Sequence, residues 1–313
     1  MTASRAPSTT KATTPVNPSR TVVLGLDGGG STVRAVALID EQVVFRGSGG
    51  PGNPLSTDED TLAVSYTRAL DGCPTPHLVG ACVAGAGGPI GQQRLTDLFG
   101  SLLPTVPLVV GADYLAPIYA APDHDVWVIC GTGSLVASRG AEKVVSSGGR
   151  GWILGDRGSA SRLGRGVLEH YVEDTNAEPD LATDIAAVAG DDRWQALFSA
   201  LQACAAPGAW HAQFASLATG RAERGLDWAC RLIETEMGAL AATTARHVSE
   251  QGLNRSGLSV CLVGGVWNGK AVRATYERAL ITALATDPIF EVPAIDLAVG
   301  AAAYAVAATE AAP

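Results

Sequence analysis

Two glycine-rich turns in the sequence have residues that could bind phosphate. They lie in the segments VVLGLDGGGSTVRAVAL, residues 22–38, and DVWVICGTGSLVASRG, residues 125–140, each between an apolar run and a second β-prone run. Successive backbone amides with Ser or Thr hydroxyls can bind an anion, and glycine permits positive φ and close approach of a ligand. Either turn alone is typical of a tight hairpin without a ligand. A matched pair, one at the start of each half, favours two turns that hold a polyphosphate from both sides.

Two carboxylates could act on such phosphates. Asp27 directly precedes the first turn and is suited to orient water on Mg²⁺, which usually keeps several waters when it is bound. Asp113 ends the apolar run PLVVGAD, where a carboxylate could accept the proton of an alcohol during phosphoryl transfer. Its position alone favours the simpler role of a helix N-cap.

Polar residues in two other loops could recognise the hydroxyl groups of a sugar. Asn53 lies in PGNP, and Asp156 and Ser159 lie in GDRGSAS, with Ser159 at a predicted helix start. Amides and carboxylates are suited to hydroxyls, which donate and accept hydrogen bonds. Asn53 is equally typical of an ordinary turn residue. The five histidines have no metal-binding spacing, so no metal site is predicted from them.

The composition narrows the classes of function. The 313 residues suggest about two domains, and 31 acidic against 22 basic residues give a net charge of −9, which disfavours nucleic acid or a membrane as partner. Six cysteines without a CxxC pair are typical of free thiols in a reducing cytosol. The polar segment 1–19 predicts a disordered tail rather than a signal peptide, and the apolar stretch 297–308 is too short to span a bilayer. We therefore expect a cytoplasmic protein.

Strands and helices alternate along the chain, which predicts an α/β fold. The strand–turn–strand pattern restarts near residue 125, so we expect an N-terminal α/β lobe over 20–118 and a C-terminal lobe over 119–296. The second lobe is mainly helical from about residue 159, with one long helical run at about 221–251. A last helix at 297–309 could complete the first lobe.

The motifs taken together resemble one known family. LDGGGSTVRAV, PGN, GADYLAPIYAA, ICGTGS, GGRGWILGDRGS, LVGG and AVGAAAYA are similar to those of the N-acetylglucosamine kinase-like members of the BadF/BadG/BcrA/BcrD ATPase family, within the sugar kinase/actin/Hsp70 superfamily. The resemblance implies a two-lobed actin-like ATPase fold, made of duplicated ribonuclease H-like domains around a central cleft. It also implies ATP and Mg²⁺, phosphorylation of an amino sugar such as N-acetylglucosamine at O6, and a homodimer as one expected assembly.

The resemblance also implies roles for individual residues. Asp113 would be the catalytic base, and Asp27 would hold Mg²⁺ through water. The expected nucleotide contacts are Asp27, Gly28, Gly29, Gly30, Ser31, Thr32, Gly131, Thr132, Gly133, Gly264 and Gly265. The expected sugar contacts are Asn53, Asp113, Ser134, Gly149, Arg150, Gly151, Asp156 and Ser159.

Some positions depart from the family pattern and leave alternatives open. Leu135, Arg150 and Arg157 stand where amino-sugar kinases usually have Asn, Trp and Glu, and Ala112 replaces the Asn before the catalytic Asp. The two arginines could bind an acidic substituent or pair with local carboxylates. The sugar could then be glucosamine or N-acetylmuramic acid, and the chain could instead be an ATPase that activates a partner enzyme, or an inactive sugar sensor.

A rival phosphate motif occurs near the C-terminus. GGVWNGK, residues 264–270, fits the GxxxxGK part of a P-loop, but Ala271 follows where Mg²⁺ coordination needs Ser or Thr. We therefore do not expect a P-loop here; the family resemblance implies instead that Gly264 and Gly265 lie on the adenosine side of the cleft.

Overall fold

The computed structural model describes residues 21–141, 143–173 and 178–311, so the predicted tail at 1–19 lies outside the described residues. The first half begins with a three-stranded antiparallel unit and continues with alternating helices and strands. Its elements are β1 Val22–Gly28, β2 Val33–Ile39, β3 Gln42–Gly49, α1 Glu59–Ala69, β4 Leu78–Val83, α2 Pro89–Leu102, β5 Leu108–Ala112 and α3 Leu115–Ala120.

The second half repeats this pattern with helices inserted after its third strand. It contains β6 Val126–Cys130, β7 Ser134–Arg139, β8 Val144–Gly148, α4 Gly151–Leu154, α5 Ala160–Glu173, α6 Pro179–Ala189, α7 Trp194–Ala203, α8 Pro207–Ala212, α9 Ala215–Glu223, α10 Asp227–Glu250, β9 Ser259–Val263, α11 Lys270–Leu284, β10 Ile289–Glu291 and α12 Leu297–Glu310. A 3₁₀ turn, Gly265–Asn268, links β9 to α11.

The two five-stranded sheets have the same strand order. The first reads β3-β2-β1-β4-β5, and the second reads β8-β7-β6-β9-β10. In both sheets the first three strands pair antiparallel and the last two join in parallel. This duplication confirms the predicted α/β fold with two actin-like lobes.

Local sequence explains how the antiparallel units form. β1 and β2 are nearly continuous apolar runs because helices cover both faces of a sheet that also contains parallel strands. Asp40 and Glu41 join β2 to β3, and both have positive φ, 48° and 63°, as a tight two-residue hairpin turn requires. Asp58 caps α1 by accepting a hydrogen bond from the amide of Thr61, at 2.9 Å.

Helix α12 packs against the first sheet although it comes last in the described chain. A Cβ at Gly25 would lie 1.9 Å from the carbonyl oxygen of Ala298, and one at Gly80 would lie 2.1 Å from that of Ala301. Only glycine on β1 and β4 lets the helix backbone come this close. α12 therefore supplies one layer of the first lobe, while the lobe boundary near residue 118 stays a prediction.

Two details of the second half differ from the sequence-based expectation. The helical run at 221–251 is divided, because Gly225 has φ +80° and ends α9 before α10 begins. The short strand β10 was not expected, and it pairs in parallel with β9. Within the described part of the chain, no helix is both long enough and apolar enough to cross a membrane.

Candidate active site

The carboxyl ends of three parallel strands bring the two predicted catalytic carboxylates to one edge of the first sheet. Gly28 of β1 pairs with Val83 of β4, and Val83 pairs with Ala112 of β5. Asp27 lies one residue before this row and Asp113 one residue after it. Ligands bind at such an edge in open α/β sheets, because the loops and helix ends that follow the strands gather there.

Asp27 is a partly buried carboxylate that both positive and negative side chains influence. Its side chain is 16 % exposed, and one oxygen lies 3.6 Å from Nη1 of Arg34 on β2. Burial raises the pKa of Asp27 to about 6; Arg34 lowers it, and the charges of Asp113 and Asp296 raise it further.

Asp113 does not have the simpler role of a helix cap. Its Oδ1 accepts a hydrogen bond from the neighbouring amide of Tyr114, at 3.0 Å, and the N-cap position of α3 belongs to Tyr114. Asp113 has an exposed surface at the end of β5. Partial burial of its carboxyl group raises the pKa, while its backbone hydrogen bonds lower it.

The first glycine turn leaves a row of amides available to a ligand. The amide of Gly29 closes the turn by donating to the carbonyl of Thr32 at 2.9 Å. Among the described residues, the amides of Gly30, Ser31 and Thr32 have no acceptor. None of Gly28, Gly29 and Gly30 adopts positive φ. A Cβ at Gly30 would meet open space, so the glycine leaves room for a ligand.

The second glycine turn is hydrogen-bonded to the start of α5. The amide of Gly131 donates to the carbonyl of Gly133, and the carbonyls of Gly131 and Thr132 accept from the first amides of α5, those of Ala160 and Ser161. Thr132 is exposed to the cleft. Neither Gly131 nor Gly133 has positive φ. The turn is therefore rigidly attached to α5.

The predicted adenosine residues follow β9. Gly264 has φ +114°, and a Cβ there would lie 2.2 Å from the carbonyl oxygen of Cys130, so only glycine fits. Gly264 and Gly265 line a cavity of about 870 Å³ whose other walls include Arg34 and Asp296. The cavity thus lies between elements of both lobes.

The GGVWNGK segment does not form a phosphate cradle. Residues 265–268 form a 3₁₀ turn that is fixed by the buried Trp267, whose Nε1 donates to the carbonyls of Val128 and Val263 at 3.2 and 3.1 Å. A P-loop would instead wrap its amides around phosphate oxygens. This geometry agrees with the rejection of a P-loop.

Asn53 lies in a tightly held loop on the first-lobe side of the cleft. Its Oδ1 accepts a hydrogen bond from the amide of Leu55 at 2.8 Å, and its backbone carbonyl accepts from Ser56 and Thr57. A Cβ at Gly85, after β4, would lie 2.3 Å from this Oδ1. The Asn53 side-chain nitrogen is the group that remains for a sugar hydroxyl.

The predicted sugar residues of the second lobe form a loop around Asp156. Asp156 is buried, has φ +53°, and accepts a hydrogen bond from the amide of Gly151 at 3.2 Å. Burial raises the pKa of this carboxyl, and its hydrogen bonds to backbone amides lower it. Gly149 and Gly151 have φ of +63° and +79°, which allow the loop to turn twice around the carboxylate.

Ser134 and Ser159 hold this loop in place. The hydroxyl of Ser134 donates to the carbonyl of Arg157 at 2.7 Å. Ser159 is fully buried; its hydroxyl accepts from the amide of Arg162 and bonds to the hydroxyl of Ser161. Ser159 therefore lies behind the loop as the cap of α5, and direct sugar contact by either serine stays a prediction.

The two unusual arginines have different surroundings. Arg150 is exposed, and it lines a cavity of about 520 Å³ together with Leu135 and Asp156. Arg157 also lines this cavity, but its Nε donates to Glu236 of α10 at 2.9 Å. Local pairing is thus the observed arrangement for Arg157.

Glu236 is a structurally important residue that the sequence did not reveal. This buried carboxylate also accepts from the amide of Gly158 at 2.9 Å and lies 3.3 Å from Nη2 of Arg162. It ties the Asp156 loop to α10. Since Glu236 lies almost eighty residues after the loop on an ordinary helix, no local pattern marks it.

Comparison with known proteins supports the fold and gives the family. The model of the BadF/BadG/BcrA/BcrD ATPase family matches residues 24–305. Two solved structures of candidate N-acetylglucosamine kinases are similar, each covering 90 % of this chain and 98 % of their own. The one from Chromobacterium violaceum is 22 % identical with a TM-score of 0.67, and the one from Porphyromonas gingivalis is 18 % identical with a TM-score of 0.69.

A more distant structure has the same fold. The ROK family glucokinase from Streptomyces griseus, in complex with glucose and AMPPNP, is 17 % identical with a TM-score of 0.58, and 91 % of this chain aligns with 99 % of that one. None of the curated protein sequences compared with the chain matches it. Because the family model spans most of the chain and the fold agrees, the chain belongs to the BadF/BadG/BcrA/BcrD ATPase family.

Proposed function

We propose that this protein is an ATP-dependent carbohydrate kinase that phosphorylates N-acetylglucosamine at O6. The observation that carries the proposal is the position of Asp113. It lies at the same carboxyl edge of the first sheet as Asp27, is exposed and caps no helix. A carboxylate with one free oxygen in that place is suited to accept the proton of a sugar hydroxyl.

The chemical step uses groups from both lobes. As the sugar oxygen bonds to the γ-phosphorus of ATP, its proton passes to Asp113 and the bond from the γ-phosphorus to the β-phosphate oxygen breaks, which releases ADP. The free amides of Gly30, Ser31 and Thr32 and the exposed hydroxyl of Thr132 would bind the phosphate oxygens. Asn53 and Asp156 would orient the sugar.

Asp27 fits a role in holding Mg²⁺. Its carboxylate supplies the oxygen ligands that Mg²⁺ prefers, and it lies on β1 directly before the first turn. Arg34 is already within 3.6 Å, so some charge compensation exists without the metal. Bound at Asp27 through water, Mg²⁺ would neutralise phosphate charge; the protein residues do the positioning and the proton transfer.

The residues that line the cavity at Asp156 bear on the choice of sugar. Because Arg157 is paired with Glu236, Arg150 is left as the arginine of the two that could meet an acidic substituent. Leu135 adds an apolar surface to the same cavity, which suits the methyl group of an acetamide. The Leu135 surface supports an N-acetylated sugar over glucosamine, which lacks the methyl, and the pairing of Arg157 leaves one arginine instead of two for the carboxylate of N-acetylmuramic acid.

The alternative of an ATPase that activates a partner enzyme would require cysteines that hold an iron–sulfur cluster between subunits. Cys82, Cys130 and Cys261 are buried within strands of this chain, so they give that alternative no support. The expected homodimer and cytoplasmic location stay predictions.

The proposed function can be tested by measuring ADP release with N-acetylglucosamine, glucosamine, N-acetylmuramic acid, N-acetylmannosamine and glucose. We expect the highest kcat/KM with N-acetylglucosamine, and a product whose ³¹P–¹³C couplings place the phosphate on C6. Higher kcat/KM with N-acetylmuramic acid would contradict the choice of sugar. ATP turnover that no sugar stimulates would contradict the kinase.

A further inference from the structure

Gly52 connects the sugar-side loop to the first phosphate turn. Its amide donates to the carbonyl of Gly29, at 2.9 Å, and its carbonyl accepts from the hydroxyl of Tyr66, at 3.1 Å. A Cβ at Gly52 would lie 2.2 Å from a methyl carbon of Val33, so no larger residue fits between loop and turn. Asn53 follows directly, and its position therefore depends on both hydrogen bonds.

Tyr66 is buried where it can fix this connection. It lies on α1 with no exposed surface, and its ring packs edge to face on Phe99 of α2 at 5.3 Å. Its hydroxyl lies only 3.0 Å from the position that a Cβ of Gly28 would occupy. Burial, and then the charge of Asp27, raise the pKa of Tyr66, so the hydroxyl stays protonated and donates.

The rest of the loop is anchored separately. Arg94 of α2 donates through Nη1 to the carbonyl of Pro54 and through Nη2 to that of Thr57, the latter at 3.2 Å. Removing the Tyr66 hydroxyl would thus release the Gly52 end of the loop and leave its far end attached. The effect should be local to Gly52 and Asn53.

We propose that Tyr66 is a positioning residue that fixes Asn53 against the first phosphate turn and thereby couples sugar binding to nucleotide binding. The inference rests on the proposed kinase function. A ligand that orders the turn from Gly29 to Thr32 also orders Gly52 through its amide, and the Tyr66 hydroxyl completes the link on the other side. Sugar and nucleotide would each stabilise the backbone arrangement that the other needs, so their affinities rise together.

The replacement Tyr66→Phe keeps the ring and removes only the hydroxyl. The buried carbonyl of Gly52 then lacks its donor, and the loop spends less time in the binding arrangement. At saturating ATP we expect the KM for N-acetylglucosamine to rise about five- to tenfold, with kcat within about twofold of the wild type. We also expect the nucleotide affinity without sugar to stay the same, and the gain in nucleotide affinity that the sugar causes to disappear.

A matched control exists in the second lobe. Tyr276 is also fully buried, and its hydroxyl bonds to that of Thr244 at 2.9 Å, in the core formed with α10 and α11. Tyr276→Phe removes a comparable hydroxyl away from the loop. Urea unfolding of both variants measures the stability loss, which should be similar, while KM and coupling should change only in Tyr66→Phe.

The outcomes separate the inference from the function on which it rests. A wild type that phosphorylates none of the sugars overturns the proposed function and this inference with it. An active wild type whose nucleotide affinity is the same with and without sugar overturns the coupling. An active wild type with Tyr66→Phe unchanged in KM, or with both Phe variants changed alike, overturns the role of Tyr66 alone.

Discussion

The two lobes share one strand order but differ in the residues at their strand ends. In the first sheet, β1 carries Asp27 and β5 is followed by Asp113; at the matching places the second sheet has Cys130 and Val292. Cys130 is fully buried, and its thiol donates to the carbonyl of Gly158 at 3.2 Å. The two lobes therefore have similar turns, but the two carboxylates proposed to act on the phosphates, Asp27 and Asp113, both come from the first lobe.

The turns differ in their attachments as well. The first is hydrogen-bonded to a loop, through Gly29 and Gly52, and the second to a helix, through Gly131 and Ala160. A turn tied to a loop can respond to what that loop binds, whereas a turn tied to the start of α5 moves with the helix. We infer that the first turn, more than the second, changes its position when the loop to which it is bonded binds a ligand.

The largest expected effect comes from Asp113→Asn. Without a proton acceptor, kcat for sugar phosphorylation should fall about a thousandfold, while the affinity for a non-hydrolysable ATP analogue changes less than about twofold. Val292→Thr, at the matching place in the second sheet, should leave kcat within about twofold. Phosphorylation that persists in Asp113→Asn would show that the two strand ends do not differ as proposed.

Asp27→Asn should lower activity and raise stability together. We expect kcat/KM for ATP to fall about a hundredfold and the half-saturating Mg²⁺ concentration to rise. Burial raises the Asp27 pKa from 3.8 to about 6, so at pH 7 the folded state holds an unfavourable charge. Its removal should raise the free energy of unfolding at pH 7 by about 2 to 3 kcal/mol.

The pH dependence of stability checks the sign of this effect. Between about pH 4 and 6 the folded wild type binds more protons at Asp27 than the unfolded chain, so its stability should fall as the pH rises. The free energy of unfolding of Asp27→Asn, measured with urea, should not fall in this way over the same pH range. Cys130→Ser is the control for the effect on Mg²⁺: its activity should depend on the Mg²⁺ concentration as the wild-type activity does. Equal pH slopes in wild type and Asp27→Asn would refute the assignment.

The pH dependence of the rate should reflect the ionisation of both Asp27 and Asp113. Both groups must be ionised for the proposed step, so kcat/KM should fall as the pH decreases through about 6. In Asp27→Asn the acid limb of the profile should change, because of the two carboxyls only Asp113, whose pKa burial also raises, still titrates. A profile from pH 4.5 to 8 measures both; an unchanged acid limb in the variant would exclude Asp27 as its origin.

The smallest effects are expected from substituting one glycine in each turn, and the two substitutions should differ in what they change. Gly30→Ala adds a methyl in open space, so stability should stay within about 0.5 kcal/mol while the KM for ATP rises about tenfold. In Gly133→Ala the new Cβ would lie 2.8 Å from Oδ2 of Asp156, which should cost about 1 to 3 kcal/mol of stability. The reverse pattern in thermal unfolding and ATP titrations would contradict the comparison.

Local patterns allowed much of the fold to be predicted from the sequence. The glycine turns, the acidic start of α1 at Asp58 and the restart of the pattern at Val126 all depend on neighbouring residues. The division of α9 from α10 was missed because Gly225 lies in an otherwise helical run. The strand β10 was missed because three residues carry too little periodicity to be recognised.

The support of the site was harder to predict than the site itself. Asp27 and Asp113 lie in motifs, but Tyr66 and Glu236 lie on ordinary helices and act through carbonyls and amides of distant loops. Their roles depend on packing between residues far apart in sequence. The pairing of Arg157 with Glu236 likewise decided, for Arg157, between two alternatives that the sequence left open.

The position of α12 has a consequence for synthesis of the protein on the ribosome. The first lobe emerges first, yet the layer that covers β1 and β4 comes from residues 297–310. Until that helix has emerged, the glycine-lined face of the first sheet lacks its covering layer and is open to association with chaperones or other chains. The lobe that carries both carboxylates is therefore expected to be the first one made and the last one finished.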